Sequence, residues 1–148
     1  MNWKRLKMKV KIKKLDKSAT IPSYAKSGDA GLDLTSISKS KEKNGMYTYG
    51  TGLAIEIPEG YVGLLFPRSS LSKYDLMLTN HVGVVDSGFR GEITFKFKQV
   101  GSYIPREYEI GDRVGQLLII PYPQIELEEV TDLNETERGS GGFGHTGK

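Results

Sequence analysis

Five short stretches of the chain carry residue types suited to chemistry on a charged substrate. The first is the C-terminal run Arg138-Gly-Ser-Gly-Gly-Phe-Gly-His-Thr-Gly-Lys148. Its glycines let backbone N–H groups approach phosphate oxygens, Arg138 supplies a fixed positive fork, and Phe143 offers a flat face for a base. Gly139, Gly141 and Gly144 fit the spacing of a dinucleotide fingerprint, and Gly142 with Gly147-Lys148 fits the start of a P-loop. Both readings fail on context, because neither is followed by the helix whose N-terminus would hold the phosphate. A flexible tail and a phosphate clamp remain the alternatives for this segment.

The second stretch is Pro67-Arg68-Ser69-Ser70, where an apolar run ends. A guanidinium and two hydroxyls at a helix start make a phosphate site, although paired serines there also serve as plain caps. The third runs from Asn80 to Gly91 and places Asp86 beside a Ser87-Gly88 turn, with Phe89 close by. Asp86 is either a turn residue or a carboxylate able to orient water. The fourth, Gly111-Asp112-Arg113-Val114-Gly115-Gln116, reads as a tight turn entering a strand. The fifth is Ala30–Leu34, in which Asp33 interrupts an apolar run and needs a partner if it is buried. His81 and His145 lie far apart and no cysteine accompanies them, so a zinc site is not expected. No nucleophile elbow is evident.

The elements that must hold these residues are strands. Met8, Val10 and Ile12 alternate with Lys9, Lys11 and Lys13, a period-two pattern with a basic outer face. Such lysines read most simply as a solvated edge that discourages strand pairing. Further strands are expected at Ala30–Ser36, Met46–Ile57, Tyr61–Phe66, Leu76–Thr79, Val82–Val85, Gly91–Gln99, Arg113–Pro121 and Gln124–Val130. Val82–Val85 and the segment returning from Phe89 are expected to form a hairpin. Turn signals such as Lys43-Asn44-Gly45 and Pro58-Glu59-Gly60 separate the strands. One or two helical turns are expected at Ser70–Tyr74. Many short strands of this kind indicate a sandwich or barrel.

Composition narrows the function classes. The chain has 148 residues, 37% of them hydrophobic, which suits one globular domain with a core. It contains no cysteine, which fits a reducing compartment. The net charge of +3 is uneven: residues 1–17 carry eight Lys/Arg against one Asp, and the rest carries thirteen against seventeen acidic residues. A mildly acidic body argues against a nucleic-acid face. No signal-peptide pattern and no run of about 18 apolar residues is present, so a cytoplasmic protein without a membrane contact is expected.

Taken in order, the five stretches resemble the motifs of the trimeric dUTP pyrophosphatase family. The resemblance implies an all-β fold: a distorted jelly-roll or β-barrel of short strands with one short helix, homotrimeric, with an exchanged C-terminal arm. Residues 1–148 would form one domain, with 1–7 an N-terminal extension and 131–148 a mobile arm. It implies hydrolysis of dUTP to dUMP and pyrophosphate with Mg²⁺, at sites between subunits. By similarity Asp86 is the catalytic carboxylate that orients the attacking water. Arg68, Ser69, Ser70 and Gln116 grip the phosphates, and Arg138, Gly144, His145 and Thr146 reach them from the arm. Asn80 and the backbone of Gly83, Val84, Val85 and Asp86 read uracil, on which Phe143 stacks. Thr94 adds a backbone contact. No residue ligates the metal directly, and Asp33 acts through a water or by fixing an arginine.

Two positions depart from the family. Phe89 stands where Tyr is usual against the deoxyribose, and Ser70 where Gly is usual. Two alternatives remain beside this reading: a dCTP deaminase of the same fold, and a non-enzymatic nucleotide- or DNA-binding regulator using the basic strip at Lys4–Lys17.

Overall fold

The computed structural model describes residues 7–101 and 103–147. The N-terminal extension therefore falls outside the described residues except for Lys7, as does Lys148 of the arm. Among the described residues ten strands and one 3-10 turn make up the fold. The strands are β1 (Lys11–Lys14), β2 (Leu32–Thr35), β3 (Ser38–Lys41), β4 (Met46–Gly50), β5 (Leu53–Glu56), β6 (Tyr61–Phe66), β7 (Leu76–Leu78), β8 (Gly83–Val85), β9 (Thr94–Gln99) and β10 (Arg113–Pro121). The 3-10 turn covers Ser69–Lys73, and no side chain caps it.

All pairings are antiparallel. One sheet has the order β2-β10-β6-β8, the other β3-β4-β9-β7, and β1 pairs with β5 as a separate ribbon. One core cluster joins all three: Leu34, Leu65, Val85 and Leu117 meet Tyr47, Tyr49, Phe95 and Phe97, with Leu53 and Ile55 from the ribbon. This is the all-β sandwich expected from the strand pattern. Full burial of each such side chain contributes about 1.5–3 kcal/mol. The aromatic centre is also anchored by polarity, since Tyr49 Oη donates to the Tyr108 carbonyl at 2.9 Å. Burial, and after it the charge of Glu107, pushes the Tyr49 phenol well above its usual range, so it stays a donor.

Three expectations need correction, and one strand was not foreseen. The long strand Met46–Ile57 breaks at Thr51-Gly52, where Gly52 has φ +66°. Thr51 Oγ1 donates to the Ile93 carbonyl at 2.7 Å and Glu92 accepts from the Gly52 N–H at 2.8 Å, so the break is held by side chains far along the sequence. β3 carries only Ser and Lys, so no apolar alternation announces it; it is an edge strand defined by its ladder to β4. Residues 124–130 form no strand with this chain, and Ile125 and Leu127 are exposed. The hairpin around Asp86 is not a hairpin: β8 pairs with β6 and β9 with β4 and β7, so residues 86–93 cross from one sheet to the other.

Gly115 of one four-stranded sheet lies under Phe95 of the other, and an added Cβ there would stand 2.1 Å from Phe95 Cε1. Gly115→Ala should therefore destabilise the fold by about 1–3 kcal/mol through overpacking, measured by chemical denaturation. In a Phe95→Leu background, which removes the ring, the same substitution should cost less than half as much. An equal cost in both backgrounds would mean that the ring does not set the limit.

Candidate functional site

β10 gathers the first group of residues. Gln116 stands opposite Asp33 on β2 and opposite Phe66 on β6. Because side chains alternate between faces, the core residues Leu34, Leu65 and Leu117 leave Asp33, Phe66 and Gln116 together on the outer face. Arg68 follows two residues after Phe66 and reaches back: its Nε donates to Asp33 Oδ1 at 3.0 Å. Arg113 Nη1 donates to Asp33 Oδ2 at 3.2 Å. One half-buried carboxylate thus holds two guanidiniums from two other segments. Arg68 Nη1 also donates to Ser70 Oγ at 3.2 Å. Gln116 Nε2 donates to the Pro67 carbonyl at 3.0 Å. Gly31 leaves room for the Gln116 side chain, since a Cβ there would collide with Oε1. Asp33, Phe66, Pro67 and Gln116, with Ser23, Ala25 and Asp29, line an open cavity of about 540 Å³, and Arg68 follows Pro67 beside it.

Ser69 is exposed at the start of the 3-10 turn, next to this group. Asn80 and Gly83 lie at the same end of the sheet, because Gly83 stands opposite Leu65. The turn that presents Asn80 is tight. His81 has φ +58°, one of the few side chains that accept this region, and the Val82 N–H meets the Asn80 carbonyl at 2.6 Å. Gly83 is buried, and a Cβ there would stand 3.0 Å from that of Leu65.

Asp86 is placed elsewhere. It is exposed and follows Val85, which stands opposite Gly63. At about 3.3 Å per residue, that puts it about 13 Å along the sheet from the level of Phe66 and Gln116. The Asp86 carbonyl accepts from the Phe89 N–H at 3.1 Å, closing a turn. The Phe89 ring sits over Gly91, where a Cβ would come within 2.7 Å of it. Arg90, which sequence reasoning did not single out, braces this turn. Its Nη1 donates to the Ser87 carbonyl at 2.6 Å and to the Phe89 carbonyl at 3.1 Å, and its Nη2 donates to Glu56 Oε1 at 3.2 Å. Val84 is exposed, and Thr94 opens β9 in the other sheet, opposite Gly50.

The tail is the third group. Among the described residues its hydrogen bonds run within itself: Arg138 Nε donates to the Gly141 carbonyl at 2.9 Å, and the His145 N–H donates to the Gly142 carbonyl at 3.0 Å. Phe143 is fully exposed, and Gly144, His145 and Thr146 are also exposed. A single chain therefore holds the predicted residues in three separate groups. Among the described residues no three or more His, Asp or Glu are grouped to hold a metal ion. Among the same residues no helix is long and apolar enough to cross a membrane.

Comparison with known proteins gives the family. The dUTPase profile matches residues 17–147. The chain belongs to the dUTPase family. It is 43% identical to the deoxyuridine 5'-triphosphate nucleotidohydrolase of Nautilia profundicola, over 95% of this chain and all of that one. It is 38% identical to that of Alcanivorax borkumensis, over 97% of this chain and 99% of the other. Among solved structures, a Staphylococcus bacteriophage 80alpha dUTPase with dUpNHpp superposes with a TM-score of 0.80 at 28% identity, covering 95% of this chain and 99% of that one. A dUTPase from phage phi11 of S. aureus, whose structure describes coordination of a structural Mg(II) ion, gives a TM-score of 0.72 at 27% identity, covering 84% and 98%.

Within this family the Asp33 bridge is the feature most open to test. Asp33→Asn keeps the shape but removes the charge that both arginines share. A hydrogen bond to a charged group contributes about 1.5–3 kcal/mol, and the exposed Arg113 arm contributes less than the Arg68 arm. The variant should lose about 10- to 100-fold in kcat/KM for dUTP while remaining folded by circular dichroism. A folded variant with unchanged kcat/KM would show that the bridge does not set the position of Arg68.

Proposed function

We propose that this chain hydrolyses dUTP to dUMP and pyrophosphate, and that each active site is built from more than one copy of it. The observation that carries the second part is the separation of Asp86 from the Arg68–Gln116 group along one sheet. A triphosphate gripped at one end of the sheet is out of reach of a carboxylate about 13 Å away on the same chain, by the same strand rise. A neighbouring copy supplies the missing group.

Two surfaces support such an assembly as a homotrimer. The outer face of the β2-β10-β6-β8 sheet is polar at the Asp33 end. Beyond it lie Leu64, Val84, Leu118 and Ile120, with Val84 65% exposed. An apolar strip of this kind calls for a partner. The second surface is the segment 124–130, in which Ile125 and Leu127 alternate with Glu126 and Glu128. It has no partner strand among the described residues, and β1 leaves one edge unpaired. The β1 region alternates Lys with Val10 and Ile12, so a neighbour's arm can lay its acidic side against those lysines and its apolar side toward the core. On this reading the basic strip is a docking edge for the arm, and residues 131–148 form a mobile closing segment of the single 1–148 domain.

In the assembled site Arg68, Ser69, Ser70 and Gln116 hold the phosphates, with the Arg68 fork kept in place by Asp33. Asn80 and the backbone of Gly83–Asp86 face the uracil edge, where a methyl or amino group would clash or mispair. Phe89 presents a ring without a hydroxyl to the sugar and keeps the steric block against a ribose 2′-OH. Thr94 adds a backbone contact. The arm brings Arg138 to the terminal phosphate and Phe143 onto the base, with Gly144, His145 and Thr146 closing over the phosphates. Asp86 orients the water and takes its proton as it attacks the α-phosphorus. The residues fit a Mg²⁺ that arrives on the triphosphate, since Asp33, the carboxylate in the phosphate group, already accepts from two arginines. When bound, the ion neutralises the leaving pyrophosphate. On this reading the protein acts in the cytoplasm, limiting uracil in DNA and supplying dUMP for thymidylate synthesis.

Asp86→Asn should lower kcat by about 10²- to 10⁴-fold, with KM for dUTP close to wild type. Pyrophosphate release from dUTP, with UTP, dTTP and dCTP run beside it with and without Mg²⁺, checks both substrate and role. Unchanged turnover would remove Asp86 from the mechanism, and ammonia release from dCTP would replace the reaction itself.

A further inference from the structure

Tyr108 is 1% exposed and is clamped on several sides. Its ring lies 4.1 Å from that of Tyr74, the residue that ends the 3-10 turn, and 5.6 Å from that of Phe97. Its carbonyl accepts from Tyr49 Oη, and the next carbonyl, that of Glu109, accepts from Ser36 Oγ at 3.1 Å. The ring direction is therefore fixed. At its tip the phenol oxygen is buried and makes no hydrogen bond of good geometry. A buried polar atom left this way is costly and asks for an explanation. The polar groups that act on it are Ser70, close enough to share a hydrogen, and at longer range Tyr74, Arg68 and Asp112. Ser70 Oγ in turn accepts from Arg68 Nη1 at 3.2 Å, and Asp33 takes Arg68 Nε.

We propose that Tyr108 is a positioning residue for phosphate binding: its buried hydroxyl steadies Ser70, and Ser70 steadies the Arg68 guanidinium from the side opposite Asp33. The inference rests on the reading of Arg68 as a phosphate ligand. Of the five guanidinium N–H groups, two are then committed to the protein and three are left for phosphate oxygens. Burial raises the phenol's proton affinity while Ser70 works against it, so the group is a neutral hydroxyl at working pH.

The test compares Tyr108→Phe, Ser70→Ala, the double variant and Arg68→Ala with the full-length wild type. KM and kcat for dUTP, the inhibition constant of deoxyuridine and the thermal midpoint are measured for each. Tyr108→Phe and Ser70→Ala should each raise the dUTP KM about three- to tenfold, the range of one neutral hydrogen bond, with kcat changed less. Deoxyuridine carries no phosphate, and its inhibition constant should stay within twofold. The double variant should be no worse than Ser70→Ala alone, because Tyr108 acts through Ser70. Ser70 is only partly buried, so its variant reports the same split without disturbing the core. Additive effects, an unchanged dUTP KM in both single variants, or equal losses for dUTP and deoxyuridine would overturn the proposal. An unchanged dUTP KM in Arg68→Ala would instead overturn the phosphate reading on which it rests, a result the other variants cannot mimic.

Discussion

The register of β10 against its two neighbours is the constraint on which the rest depends. Gln116 stands opposite Asp33 and Phe66 at the same level of the sheet. With a side-chain period of two, a slip of one residue would turn Asp33 and Gln116 into the core and push Leu117 and Leu34 into water. Burial of those leucines therefore fixes the site. The hydrophobic effect chooses the register, and the register delivers one carboxylate and one amide to the outer face beside the end of β6, where Arg68 begins the 3-10 turn. The irregularity between Arg113 and Gly115 bends the same strand and brings Arg113 to the second oxygen of Asp33.

The same ladder that assembles the Arg68–Gln116 group keeps Asp86 away from it. β8 is the far edge of the sheet, and its pairing with β6 carries the chain from Gly83, near that group, to Asp86, well down the sheet. Residues 86–93 then cross to the other sheet under the hold of Arg90 and Glu92. Asp86 is thus left exposed, as suits the role proposed for it, a carboxylate offered to a neighbouring copy. The exposed apolar strip on the same outer face and the unpartnered arm are consistent with that arrangement.

Much of this was legible in the sequence, for physical reasons that can be named. Alternation marked β6, β9 and β10, and glycine-bearing turns marked their ends. The five stretches could be read because each is local: a turn, a strand end or a glycine run. What escaped was long-range or depended on edges. β3 has no apolar residue to announce it, the break at Gly52 is dictated by Glu92 forty positions away, and Arg113 meets Asp33 across eighty. The crossing after Asp86 looked like a hairpin because its turn chemistry is that of a hairpin, and only the partner of β8 tells the two apart. Arg90 and Tyr108 lie within or just before recognisable motifs, but their roles rest on carbonyls and hydroxyls that only folding brings near.

The central claim is that Arg68 and Asp86 of one active site come from different chains. It is tested most directly by unfolding Arg68→Ala and Asp86→Asn proteins together in equal amounts, refolding the mixture and measuring dUTP hydrolysis. Each variant alone should be nearly inactive. Random assembly should give about a quarter of the sites an intact Arg68 from one chain and an intact Asp86 from another, and hence about a quarter of wild-type activity. If both residues of a site came from the same chain, no mixture would contain an intact site. Activity no higher than that of the separate variants, with mixed assembly confirmed by native mass spectrometry, would contradict the account.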